Sequence, residues 1–60
     1  MRIDLETAFE ILKTSAPVAG LTEAELRGEI RGLGAIVTAE HCGFDKADFL
    51  AKVAEKEAAK

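Results

Sequence analysis

One adjacent pair in the chain, His41-Cys42, joins two side chains capable of nucleophilic or metal-ligating chemistry. A nucleophilic cysteine needs a base within hydrogen-bonding reach and a depressed pKa. Neighbouring helical positions diverge by about 100° and do not face each other, so His41 is poorly placed to take the Cys42 proton. Cys42 also falls at the end of a predicted helix, where the negative end of the dipole disfavours a thiolate. Two copies of the chain could pool both residues as a four-ligand metal set. The plainer reading makes Cys42 a small core residue and His41 a partly exposed neighbour. No catalytic residue, metal ligand or cofactor is therefore assigned, and the chain is not expected to be an enzyme.

The acidic residues are accounted for by local structure. Asp45, Asp48, Glu23 and Glu25 stand where helix N-caps and first turns favour negative charge. Asp45-Lys46-Ala47-Asp48 lacks the alternating oxygen ligands, central glycine and terminal glutamate of a calcium loop. No phosphate loop, nucleophile elbow or dinucleotide fingerprint occurs. With 11 acidic residues against 8 basic ones and a net charge of −3, nucleic acid is not an expected partner, since phosphate neutralisation supplies most of that affinity. Ala39, Gly43 and Phe49 do match part of a helix-turn-helix spacing. The helix that would enter the groove, however, leads with Asp45 and Asp48, which repel phosphate.

Three helical segments are predicted to position these residues. In the first, Asp4 is an N-cap and Leu5, Ala8, Phe9, Leu12 and Ala16 share a face, with Pro17 ending the helix. The second opens on a capping box, Thr22 with Glu25, flanked by a hydrophobic staple of Leu21 and Leu26. It is expected to run to Cys42, with Leu26, Ile30, Leu33 and Val37 in phase and Gly43 as the stop. At about 1.5 Å per residue this central helix would be about 30 Å long. The third begins at Asp45, with Phe44 and Phe49 in staple positions and Phe49, Leu50, Val53 and Ala54 as its apolar stripe. Lys52, Lys56 and Lys60 recur at intervals of four and suit the C-terminal end of the dipole.

Gly28, Gly32 and Gly34 each cost about 1 kcal/mol relative to alanine in a helix interior, which calls for an explanation. One reading is a stripe of small residues, Gly28 and Gly32 continued by Ala35 and Ala39, that lets another backbone approach, either helix one or a second copy. The other is a break at Gly32-Leu33-Gly34. Because the apolar residues keep phase across the glycines, the sequence favours a continuous helix.

Ile36-Val37-Thr38-Ala39-Glu40-His41-Cys42-Gly43-Phe44-Asp45 followed by Leu50 resembles the alanine, glycine-phenylalanine and leucine pattern of the nitrogen-fixation-associated leader-peptide family. Phe9 and Leu12 fall about where that family places an N-terminal phenylalanine and leucine. The resemblance implies a helical leader that recruits modifying enzymes to an attached core peptide. The pattern departs from the family in having no double glycine near Lys60.

Size sets the remaining expectation. A chain of 60 residues buries only about 60% of its unfolded surface, and Cys42 has no intramolecular disulfide partner. The apolar runs are far shorter than the roughly 20 residues a membrane span needs, and Met1 to Glu6 carry acids where a secretory signal is basic. Residues 1–60 are thus expected to form one all-α, cytoplasmic domain of three helices with a long central one, assembling as a homodimeric bundle. Its expected role is that of a non-enzymatic protein–protein interaction or small regulatory module. The interface is assigned to Leu26, Gly28, Ile30, Gly32, Leu33, Val37, Phe44 and Phe49. The alternatives are a leader or recruitment peptide and a small DNA-associated regulator.

Overall fold

The computed structural model describes residues 3–59; Met1, Arg2 and Lys60 lie outside the described residues. Five helices follow one another: α1 (Leu5–Leu12), α2 (Ala16–Ala19), α3 (Glu23–Leu33), α4 (Ala35–His41) and α5 (Lys46–Ala58). The chain is all-helical among the described residues, but the three expected segments are divided further, and each division has a local cause.

The first segment splits after Leu12. Asp4 caps α1 as expected, accepting a hydrogen bond from the Thr7 N–H at 3.3 Å. Pro17 does not end a helix here; it stands in the first turn of α2. A proline has no N–H to lose in a first turn, so it initiates as readily as it terminates. Gly20, at φ +80°, closes α2. The Leu21 N–H donates to Ala16 O at 2.9 Å and the Gly20 N–H to Pro17 O at 3.2 Å, the paired bonds of a Schellman motif.

The long central helix is two helices. The capping box forms, with the Thr22 N–H donating to Glu25 Oε1 at 2.9 Å and the Glu25 N–H to Thr22 Oγ1 at 3.1 Å. Helix α3 then stops at Gly34, whose φ of +95° and ψ of 158° lie in a region open essentially to glycine alone. The Gly34 N–H still donates to Ile30 O at 3.1 Å, closing α3. Its carbonyl accepts from both the Thr38 N–H at 3.1 Å and Thr38 Oγ1 at 2.8 Å, opening α4. One glycine therefore caps both helices.

Gly43 stops α4 as predicted. It takes φ +90°, the Phe44 N–H donates to Ala39 O at 2.9 Å, and the Gly43 N–H to Glu40 O at 3.1 Å, a second Schellman motif. The staple across the start of α5 is also present, the Phe44 and Phe49 rings meeting edge to face with centroids 6.3 Å apart. Asp45 precedes α5 with extended backbone and no side-chain cap bond.

One continuous core joins the elements. Phe9, Leu12, Leu26, Ile30, Ala39, Cys42, Phe49 and Val53 are all buried in it. Helix α3 is fastened to α1 by Arg27, whose guanidinium lies 3.9 Å from the centroid of the Phe9 ring and donates to Glu6 Oε1 at 2.7 Å. The radius of gyration is 10.4 Å, which equals the value of about 10.4 Å expected for a globular chain of this length.

Candidate interaction surface

The residues assigned from sequence to an interface divide into four groups. Leu26 at 0% exposure, Ile30 at 7% and Phe49 at 0% belong to the chain's own core. The Leu26 and Ile30 part of the face is thus covered within the chain, where α3 packs against α1 and α4. Turning the chain at Gly34 folds α4 back against α3 and breaks the shared face, so Leu33 and Val37 remain 53% and 39% exposed. They border a shallow hollow of about 200 Å³ whose other lining residues are Ile3, Gly34, Ala35 and Ile36.

Gly28 and Gly32 form the third group. Helical spacing turns them away from Leu26 and Ile30. A Cβ built on either meets nothing within 4 Å, so neither glycine is needed for packing against helix one. The small-residue stripe is an exposed feature of α3.

Phe44 lies elsewhere. Half-buried after the Gly43 turn, it lines an open groove between α1 and α5 with Glu10, Ile11, Thr14, Lys52, Glu55 and Lys56. This groove was not legible from periodicity, because its walls come from segments more than thirty residues apart in sequence. It encloses about 490 Å³.

The His41-Cys42 pair is separated by its surroundings. Cys42 is buried, and burial, aided by the nearby Glu29 charge, pushes its thiol pKa up. The shift has the direction the sequence suggests, with desolvation rather than the helix dipole as its leading cause. His41 faces outward, with Nδ1 3.1 Å from Glu29 Oε1, tying α4 to α3. Among the described residues no group of three or more histidine, cysteine or acidic side chains is placed to share a metal ion. No described helix is long and apolar enough to cross a membrane. Among the described residues every buried side-chain polar atom has a hydrogen-bond partner.

No protein family, no curated protein and no solved structure matches the chain.

Proposed function

We propose that the chain is a non-enzymatic, cytoplasmic interaction module that pairs with a second copy of itself through the face formed by Leu33 and Val37. The observation that carries this reading is their exposure. Both sit beside a hollow already lined by Ala35 and Ile36, so they form a contiguous apolar patch, whereas Val18, the other exposed large apolar residue, does not line it. Gly28 and Gly32 support it, because their bare backbone on α3 would let a partner helix approach closely while serving no packing need within the chain. A standard interface of about 800 Å² per partner would occupy roughly one fifth of the 3845 Å² surface, which one face can supply.

The core closes without a partner, so pairing joins two folded chains and does not create the fold. Leu33→Glu with Val37→Glu is expected to elute from a sizing column as a single chain with unchanged helical circular dichroism. Elution of the variant with the parent chain would place self-association elsewhere.

A second reading is that of a helical leader or recruitment segment for a peptide-modifying enzyme. The Ala39, Gly43 and Phe44 pattern that carries the resemblance forms one structural unit, the Schellman turn into α5. Co-expression with the coding region that follows and mass analysis of the product would test it. A small DNA-associated regulator is the least supported reading, since Asp45 and Asp48 are both exposed at the start of α5.

A further inference from the structure

We propose that the groove between α1 and α5 is a docking site for a segment of another protein that carries an aliphatic or aromatic side chain beside an acidic one. This rests on the reading of the chain as an interaction module, but not on the pairing of two copies.

The floor and walls of the groove differ in chemistry. Ile11 is buried and Phe44 half-buried, and they give the groove its apolar base. Lys52 and Lys56 rise from α5 one helical turn apart, on one side of that helix. Among the described residues neither ammonium has a carboxylate within ion-pair distance. Glu10, on the α1 wall, is already bridged to Lys13 at 3.1 Å. Glu55 is the remaining acid of the lining, so the unpaired charges comprise two positive groups and one negative.

Local charge decides what binds here. Screening confines electrostatic attraction to about 8 Å at physiological ionic strength. An incoming carboxylate therefore senses Lys52 and Lys56 more than the chain's net charge of −3. A neighbouring apolar side chain on the same segment would displace water from Ile11 and Phe44, and burial of that side chain supplies affinity while the ion pairs fix its direction. A volume of about 490 Å³ suits one or two anchoring side chains with their backbone and falls within the range of binding clefts. The groove shares no lining residue with the hollow beside Leu33 and Val37, so both surfaces can be occupied together.

The test is selection of displayed random peptides of about twelve residues against the full chain, a length sufficient for one anchor and its flanks. Selected peptides are expected to share an aliphatic or aromatic residue within one turn of Asp or Glu. Their affinity should fall at least about ten-fold on Lys52→Glu with Lys56→Glu, the loss expected from reversing charges that contact the ligand. Thr14→Trp, which fills the groove from the exposed turn after α1, should also abolish binding. Amide shifts on binding should centre on Thr14, Phe44, Lys52 and Lys56. The proposal is overturned by selection of no peptide, by peptides without the shared pattern, by affinity that ignores the charge reversal, or by shifts centred on Leu33 to Val37. Sedimentation of the Lys52→Glu, Lys56→Glu chain separates this proposal from the pairing reading: unchanged self-association with lost peptide binding supports the groove, whereas lost self-association assigns the groove to a second copy and overturns it.

Discussion

A methyl group added at Gly34 would be held on a backbone at φ +95° and ψ 158°, whereas one added at Gly28 or Gly32 would meet nothing within 4 Å. Gly34→Ala is expected to destabilise the chain by about 1–3 kcal/mol, read from the urea midpoint. Gly28→Ala and Gly32→Ala should each stabilise the folded chain by about 0.5–1 kcal/mol by removing glycine's backbone entropy cost. The same two changes should weaken pairing if the bare backbone admits a partner. Sequence shows three glycines of equal apparent cost. Their difference lies in backbone torsion, which a pattern of residue types does not encode. Cys42 illustrates the reverse case, since its place as a small core residue was legible. Buried, with its pKa pushed up, it should react slowly with iodoacetamide at neutral pH in the native chain and rapidly in denaturant.

At the scale of elements, the starts and stops with side-chain or glycine signatures were legible: Asp4, the Thr22 and Glu25 box, Gly43 and the Phe44 and Phe49 staple. The division of the central segment was legible only as the less favoured alternative, a break at Gly32-Leu33-Gly34, because Leu26, Ile30, Leu33 and Val37 fit one helical period whether or not Gly34 turns the chain. The capping box carries a pH dependence. The Thr22 backbone N–H and, next, its side chain hold the Glu25 pKa below its ordinary value. A depressed folded pKa stabilises above the unfolded value and is lost as pH falls through the folded one. The thermal midpoint should therefore drop as pH is lowered from the ordinary glutamate range through that depressed value, and Glu25→Gln should remove this component of the drop. Packing of the elements converges on Phe49, which is fully buried. Phe49→Ala should cost about 3–5 kcal/mol, enough to leave a domain of this size largely unfolded by circular dichroism.

For the whole molecule, composition indicated that 60 residues without a disulfide have little core to spare, and the structure locates where that shortage falls. Leu26 and Ile30 are covered within the chain, and the large apolar side chains left exposed are Val18 on α2 and, at one corner, Leu33 and Val37. The sequence identified both residues of that corner but assigned them to a continuous seam with Leu26 and Ile30, because the packing of α1 on α3 depends on contacts distant in sequence. The acidic surface and the aspartates at the start of α5 lead to the expectation that duplex DNA shows no salt-dependent mobility shift with this chain at physiological ionic strength. Whether the closed fold pairs through the corner at Leu33 and Val37 is decided by sedimentation equilibrium at micromolar concentration. Pairing gives a reversible species of twice the 6.4 kDa chain mass that reverts to one chain in the Leu33→Glu, Val37→Glu variant. A folded species of 6.4 kDa at every concentration of the parent chain would contradict it.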